Sequence, residues 1–227
     1  MNYNMNSKQK STAKTKRKRK CYFLYDFVKI TGALPTLIWM RPKVIIYGKN
    51  KPHKIKGGVL ISSNHVSFTD PVLVHCAFWR RRLHCLATKD LYRTKLLDFF
   101  FRNIHCIQVD KENFSVNSLH QVCDDLKNDR AVLIFPEGQV NRTGEEMLGF
   151  KSGAILMAYR AKKPILPVYI VRREKKYARR TILIGDPVYV HELVGKMPSM
   201  EDFERAGAYL REKELELINH YHQGERQ

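Results

Sequence analysis

A histidine and an aspartate five positions apart, His65 and Asp70, have the types and spacing to do chemistry. A carboxylate that accepts the proton of one imidazole nitrogen fixes the tautomer of the ring and leaves the other nitrogen as a base. The same two residues also fit a structural interpretation, in which Asp70 caps a helix and His65 is an ordinary loop histidine. From this pair alone both interpretations stay open.

The segments around this pair predict where it lies in the fold. The apolar run 59–63 indicates a short buried strand that ends just before His65. Asp70 followed by Pro71 predicts a helix start, with an N-cap residue and then a proline at the first helical position. Because ligands bind at the carboxyl ends of strands in an open α/β sheet, His65 is expected at a ligand site.

A second strand candidate, 131–135, runs directly into a turn. Residues 136–142 read Pro-Glu-Gly-Gln-Val-Asn-Arg, so an acidic and a basic side chain follow this strand as well. Gly138 would let the backbone approach a ligand closely, since glycine has no side chain to obstruct it. The sequence therefore offers two chemistry-bearing loops, each placed after a predicted strand.

Together the two loops resemble the motifs of the glycerolipid acyltransferase family, of the lysophosphatidate acyltransferase (PlsC) type. The first supplies an Asn-His-x-x-x-x-Asp pattern with Asn64, His65 and Asp70, and the second supplies Phe-Pro-Glu-Gly at 135–138. The resemblance covers roughly residues 40–190. Further segments fall in the order that this family shows, at 89–91, 107–111, 150–153 and 164–168.

The repeated alternation of strand and helix patterns predicts an α/β fold, with a largely parallel central sheet flanked by helices. The resemblance implies the same glycerolipid-acyltransferase-like fold, preceded by N-terminal interfacial helices. It also implies transfer of an acyl chain from a thioester donor, acyl-CoA or acyl-ACP (acyl carrier protein), to the hydroxyl of a lysophosphatidate-like acceptor. The product would be phosphatidate, in phospholipid biosynthesis. No bound cofactor and no metal ion are expected, since the thioester is already activated.

The resemblance assigns roles to the motif residues. His65 would deprotonate the acceptor hydroxyl, and Asp70 would orient and support the imidazolium. Lys89, Glu137 and Gly138 match positions that bind the acceptor, and Asn64 belongs to the same motif as His65. Glu137 could bind the glycerol hydroxyls or position a cation, or it could simply pair locally.

The second motif departs from the family pattern where the phosphate would bind. Val140 stands in place of the arginine usually credited with gripping the phosphate, and Lys111 replaces another family arginine. We expect Arg142 to supply the missing charge, because a planar guanidinium suits bidentate contact with phosphate. Another lyso-lipid or glycerol phosphate therefore stays open as the acceptor.

Composition favours a globular protein of one main domain. The chain has 227 residues, of which 44% are hydrophobic, enough to bury a substantial core. Its five cysteines are odd in number and include no Cys-x-x-Cys motif, which favours reduced thiols in a cytosol-facing protein.

Charge and hydropathy divide the chain into three segments. Residues 1–20 are basic with no acidic residue and are expected to be disordered, whereas 43–227 would form the acyltransferase domain. The apolar stretch 21–42 is interrupted by Asp26 and Lys29, so it suits amphipathic helices in a membrane interface better than a transmembrane helix of ~20 apolar residues. Packing of this segment on the sheet is the alternative.

The net charge of +19 suits an anionic partner. An anionic membrane surface is the expected one, which places the protein at the cytoplasmic face of the membrane as a peripheral or monotopic protein. A different class of function, nucleic-acid binding, would use the basic tail and residues 79–82. That alternative leaves the loops at His65 and Glu137 unexplained, so nucleic acid is not the expected partner.

Overall fold

A seven-stranded sheet forms the centre of the molecule. The computed structural model describes residues 21–48, 55–110, 115–173 and 179–225. The strands lie in the spatial order β1-β7-β6-β2-β5-β3-β4, and within the described residues only the β6–β7 pair is antiparallel. In chain order they are β1 (Lys43–Ile46), β2 (Val59–Ser63), β3 (Leu83–Thr88), β4 (Ile107–Val109), β5 (Ala131–Ile134), β6 (Ile165–Ile170) and β7 (Thr181–Ile184). The predicted α/β fold with a largely parallel sheet is confirmed.

Helices cover both faces of this sheet. Leu60 of β2 packs with residues of α4, α5 and α7, whereas its neighbours Val59 and Ile61 pack with residues of α2 on the opposite face. The helices are α1 (Phe23–Met40), α2 (Asp70–Ala77), α3 (Lys95–Asn103), α4 (Val116–Lys127), α5 (Gly153–Ala161), α6 (Val190–Leu193) and α7 (Met200–Glu225), with a 3-10 helix at Lys89–Tyr92 between β3 and α3.

Four strands are buried along their whole length because both of their faces are covered, and most of their residues are apolar. Every residue of β2, β5, β6 and β7 is buried. Strands of this kind show continuous apolar runs rather than alternation, which is the pattern that the sequence shows at 59–63 and 131–135. Burial on both faces therefore explains why these two strands can be predicted from the sequence.

The N-terminal apolar segment forms one helix, α1, that has a packed side and an exposed side. Tyr25 and Met40 are buried against the domain, and Tyr25 accepts a hydrogen bond from the backbone N–H of Leu83 at 2.8 Å. Phe23 and Trp39 are 80% and 74% exposed on the same helix. The segment thus packs on the domain and also presents large apolar side chains to its surroundings.

The interfacial helices expected over 21–42 are a single helix, α1, which continues through Pro35. The helix ends at Arg41, whose φ of 43° is left-handed and whose N–H donates to the Leu37 carbonyl. No helix among the described residues combines the length and the apolar character needed to cross a membrane. Residues 1–20, expected to be disordered, lie outside the described residues.

Candidate active site

The side chains of His65 and Asp70 are in direct contact at the carboxyl end of β2. The Nδ1 atom of His65 lies 3.0 Å from Oδ2 of Asp70, and the aspartate is fully buried. A carboxylate can only accept at this contact, so Nδ1 carries the proton and Nε2 carries the lone pair. The His65 side chain remains 15% exposed, so the site is not sealed from its surroundings.

Asp70 points back into the His65 loop and does not cap α2. Its Oδ2 also accepts the backbone N–H groups of Val66 and Ser67, each at 2.7 Å, and Thr69 occupies the N-cap position of the helix. The predicted N-cap role of Asp70 is therefore wrong, because the carboxylate is already committed to the loop. The proline predicted at the helix start does lie in the first turn.

Arg180 is the second partner of the Asp70 carboxylate. Its guanidinium donates to Oδ1 of Asp70 and lies 3.5 Å from the hydroxyl of Thr69. Burial lowers the pKa of Arg180, and the adjacent Asp70 opposes this shift. The arginine therefore supplies a compensating charge on the side of the carboxylate that His65 does not use.

Glu137 joins the turn after β5 to the His65 loop. Its Oε1 accepts the backbone N–H of His65 at 2.9 Å, and its Oε2 accepts the backbone N–H of Leu148 at 3.2 Å. The carbonyl of His65 accepts the N–H of Asn141 at 2.7 Å, so the two loops are joined on both sides of the histidine. Burial raises the pKa of the Glu137 carboxyl, and these backbone amides oppose the rise. This geometry favours a role in positioning His65 over direct contact with an acceptor.

The turn at Gly138 needs glycine for two reasons. The N–H of Gly138 donates to the carbonyl of Phe135 at 3.0 Å, and the φ of Gly138 is +72°, which side-chain-bearing residues rarely adopt. A Cβ at this position would also lie 3.0 Å from Cε of Lys151. The ring of Phe135 stacks on the ring of His65, with 4.1 Å between the two ring centres. The tight turn therefore forms part of the wall of the site.

Asn64 connects two strands, β2 and β6, beneath the His65 loop. Its side-chain amide donates to the carbonyl of Ile170 at 3.0 Å, and its side-chain oxygen accepts the N–H of Ile170 at 2.7 Å. This pair extends the β2–β6 hydrogen bonding by one step beyond the partners Ser63 and Val168. Because Asn64 is fully buried, it supports the loop and does not face the site.

The two basic residues predicted to bind the acceptor are both exposed but lie in different surroundings. The guanidinium of Arg142 lies 5.6 Å from the ring of Phe68, which belongs to the His65 loop. Lys89 follows β3, two strands away from β2, and its ammonium pairs with Asp110 at 2.5 Å. The structure thus brings Arg142 to the His65 loop and leaves Lys89 farther along the same edge. Lys111 lies outside the described residues.

Comparison with known proteins identifies the family. A protein-family model described as Acyltransferase matches residues 43–171. The chain belongs to the Acyltransferase family. The matched range begins where β1 begins and includes His65, Asp70, Glu137 and Gly138. The resemblance to acyltransferases found in the sequence is confirmed.

Individual relatives of this acyltransferase include bacterial proteins. The 1-acyl-sn-glycerol-3-phosphate acyltransferase of Bacillus subtilis is 27% identical over 202 residues, covering 86% of this chain and 98% of that protein. A probable 1-acyl-sn-glycerol-3-phosphate acyltransferase of Mycoplasma pneumoniae is 34% identical over 135 residues, or 56% of this chain and 48% of the relative.

A crystal structure shows the same fold. The 1-acyl-sn-glycerophosphate acyltransferase PlsC from Thermotoga maritima superimposes with a TM-score of 0.60 at 19% identity, over 86% of this chain and 78% of that one. At this level of identity the likeness concerns the fold, which agrees with the sheet and helices described above.

Two supporting residues of this acyltransferase lie outside the matched range and carry no motif. Arg180 is one, and the other is Glu214 of α7, which is fully buried and accepts a hydrogen bond from the Ser62 hydroxyl at 2.6 Å. The backbone amide of Asn64 also faces this carboxyl. Burial raises the pKa of Glu214 well above its usual range. Glu214 therefore supports the end of β2, from which the His65 loop departs.

Replacing Glu137 with Gln tests its positioning role. A buried N–H without an acceptor costs about 1–3 kcal/mol, and Gln offers one accepting oxygen in place of two. We expect the turnover number for acyl transfer to fall by about tenfold or more, with the KM for the acceptor changed less than about threefold. Steady-state kinetics would measure both values. The matched control is Glu145→Gln, since Glu145 is exposed in the same loop; a raised KM at unchanged turnover would instead show that Glu137 contacts the acceptor.

The buried Glu214 carboxyl predicts a pH-dependent stability. Its raised pKa means that the folded protein holds this group protonated to higher pH than the unfolded chain does. The free energy of unfolding therefore falls as pH rises from the ordinary glutamate pKa, about 4.3, toward the raised folded value.

Glu214→Gln removes this titration. The free energy of unfolding of the variant minus that of the wild type should therefore increase with pH over that range. Urea unfolding at a series of pH values would measure the difference. The exposed Glu212 of the same helix provides the control variant Glu212→Gln, which should show no such trend. A difference between Glu214→Gln and wild type that is constant with pH would contradict the assignment.

Proposed function

We propose that this acyltransferase moves an acyl chain from a thioester, acyl-CoA or acyl-ACP, to the free hydroxyl of a 1-acyl-glycerol 3-phosphate acceptor, forming phosphatidate. The observation that carries the proposal is the contact between His65 and the buried Asp70, with Nε2 left as the base. Relatives from Borreliella burgdorferi and Helicobacter pylori, each 27% identical, are also named 1-acyl-sn-glycerol-3-phosphate acyltransferases.

The reaction needs a base and no covalent intermediate on the protein. Nε2 of His65 takes the proton of the acceptor hydroxyl while the oxygen attacks the thioester carbonyl carbon. The tetrahedral intermediate then collapses, breaking the carbon–sulfur bond. The departing thiolate takes the proton back from the imidazolium, so the histidine is regenerated and the thiol leaves.

Asp70 supports this cycle by stabilising the positive charge on the ring. The carboxylate contacts Nδ1 directly, so an imidazolium formed at Nε2 gains a charge-assisted hydrogen bond. The amides of Val66 and Ser67 and the guanidinium of Arg180 fix the carboxylate in place. The imidazole therefore keeps both its tautomer and its orientation through each turnover.

The acceptor phosphate is assigned to Arg142. Its guanidinium lies beside Phe68 at the mouth of the His65 loop, and it is exposed and able to meet a ligand. Bidentate contact with a phosphate suits the arginine fork. Because Arg142 does not occupy the usual motif position, other lyso-lipids and glycerol phosphate belong in the same substrate panel.

The acceptor is a lipid, and α1 offers the means of reaching it. Phe23, Phe27, Ile38 and Trp39 are each more than half exposed on this helix. An apolar helix surface next to a basic segment suits the interface of an anionic membrane, where each basic residue contributes about 1 kcal/mol. We therefore assign the protein to the cytoplasmic face of the membrane as a peripheral or monotopic enzyme.

Replacing His65 with Ala removes the base. Since general base catalysis contributes about 10²–10⁴-fold, transfer from labelled acyl thioester to 1-acyl-glycerol 3-phosphate should fall by that factor. Circular dichroism and the unfolding midpoint should stay close to those of wild type, because Asp70 keeps its contacts with the amides of Val66 and Ser67 and with Arg180. His120→Ala serves as the control, since His120 is exposed on α4. Turnover of His65→Ala close to that of wild type would exclude this mechanism.

Replacing Arg142 with Ala tests the phosphate assignment. A hydrogen bond to a charged group contributes about 1.5–3 kcal/mol, which corresponds to a rise of about tenfold or more in the KM for a phosphate-bearing acceptor. The turnover number should change much less. A panel of lyso-lipids with and without a phosphate monoester measures the effect. An unchanged KM for the phosphate-bearing acceptors would remove Arg142 from the site.

A further inference from the structure

A cleft lies at the end of the sheet opposite the His65 site. It has a volume of about 690 Å³ and lies between α1 and the turn that follows α2. The first residue of β5, Ala131, lines it, whereas His65 lies two residues beyond the last residue of β2, a parallel neighbour of β5. The two sites are therefore separated by the length of the strands, and the cleft takes no part in the chemistry of His65.

Positive charge dominates the lining of this cleft. Two acidic side chains, Asp26 and Asp129, also face it. The lining includes five cationic side chains, from Lys29, Arg80, Arg81, Arg82 and Arg130. An anion that enters the cleft therefore meets an excess of positive charge.

Several of these cations are held in place by the surrounding structure. Arg81 donates to the carbonyls of Ile55 at 2.8 Å and Gly57 at 2.5 Å. Arg82 pairs with Asp26 of α1 through two of its nitrogens, at 2.9 and 2.6 Å. Fixed cations lose less side-chain entropy when a ligand binds, which favours a binding site over a mobile basic surface.

Lys29 of α1 lies in the cleft beside an aromatic ring. The ammonium of Lys29 lies 5.0 Å from the centre of the Trp79 ring and donates to the Arg81 carbonyl at 3.3 Å. Burial lowers the pKa of Lys29, and Asp26 only partly offsets this. An anionic group in the cleft would stabilise the charged form of this lysine.

An apolar stripe borders the cleft along α1. Phe23, Phe27 and Ile30 are 80%, 55% and 58% exposed, and their spacing places them on one side of the helix. Ile30 belongs both to this stripe and to the cleft lining. Trp79, also at the cleft, is 38% exposed. A ligand in the cleft thus has a basic pocket for an anion and an apolar border for hydrocarbon.

We propose that this cleft binds the phosphate of an anionic phospholipid, whose acyl chains remain beside the apolar stripe of α1. The proposal rests on the proposed attachment of α1 to a membrane and adds a headgroup site separate from the catalytic one. The shared chemistry is a phosphate among arginines, which a soluble phosphate ester would also offer. The apolar stripe of α1 favours the lipid, because a soluble phosphate ester has no hydrocarbon chain to pack against it.

The test uses the full chain carrying Trp39→Phe, which leaves Trp79 as the only tryptophan of the original two. Vesicles of phosphatidylcholine with phosphatidylglycerol are titrated while Trp79 emission is followed. Phosphatidylglycerol is neither substrate nor product of the proposed reaction. We expect a saturable change in emission whose apparent Kd rises about fivefold in the Arg80→Gln variant. The charge-matched control Arg160→Gln, on α5, should change the Kd less than about twofold.

Two further titrations identify the ligand. Vesicles made equally anionic with oleate should show no difference between Arg80→Gln and Arg160→Gln, because they carry charge without an anionic phosphate headgroup. Glycerol phosphate in solution should leave Trp79 unchanged at concentrations up to millimolar. A loss of affinity of Arg80→Gln for the oleate vesicles equal to that for phosphatidylglycerol would overturn the site in favour of general surface charge. A response to glycerol phosphate as strong as that to the vesicles would overturn the lipid assignment.

Acyl transfer by the unmutated chain is measured in parallel. Transfer without any response of Trp79 to phosphatidylglycerol would refute the cleft proposal and leave the proposed function standing. A Trp79 response that depends on Arg80, in a protein that transfers no acyl group to any acceptor, would refute the proposed function and support the cleft.

Discussion

The Asp70 carboxylate is the interaction on which the rest of the site depends. A buried charge is stable only if hydrogen bonds and opposite charges replace the water that it loses. Here His65 and the amides of Val66 and Ser67 meet one oxygen, and Arg180 meets the other. This single carboxylate therefore couples three features. They are the shape of the His65 loop, the tautomer of His65 and the position of β7.

The sequence predicts those parts of the site that are encoded by short continuous segments of the chain. The strands at 59–63 and 131–135 are rich in apolar residues because both faces of the sheet are covered, and the loops that follow them carry recognisable motifs. Arg180 and Glu214 could not be predicted in the same way. The chain has 41 Lys and Arg residues, so no single arginine stands out, and Glu214 lies among other glutamates of a charged helix. Only the folded chain selects them, because it places Arg180 beside Asp70 and Glu214 beside Ser62.

Motif residues in this site divide into two kinds that a sequence pattern does not distinguish. Asn64 and Glu137 belong to the motifs, yet their side chains bind backbone groups of Ile170, His65 and Leu148. Arg142 lies outside the usual motif position but reaches the His65 loop. A motif therefore marks residues that build the site together with residues such as His65, whose side chain stays partly exposed in it. The chemistry of each side chain has to be read from its contacts.

The reversal of direction between β6 and β7 determines how the N-terminal helix α1 is connected to the His65 loop. Because β7 runs antiparallel to β6, its first residue stands at the carboxyl end of the sheet, and Arg180 arrives there directly before it. The backbone N–H of Lys43, three residues after α1 ends, donates to the carbonyl of Arg180 at 2.8 Å. One hydrogen bond and one ion pair thus link the helix to Asp70. The distance and orientation of the His65 ring relative to α1 are consequently determined by the backbone. If α1 lies on a surface, the same two contacts determine how far the ring stands from that surface.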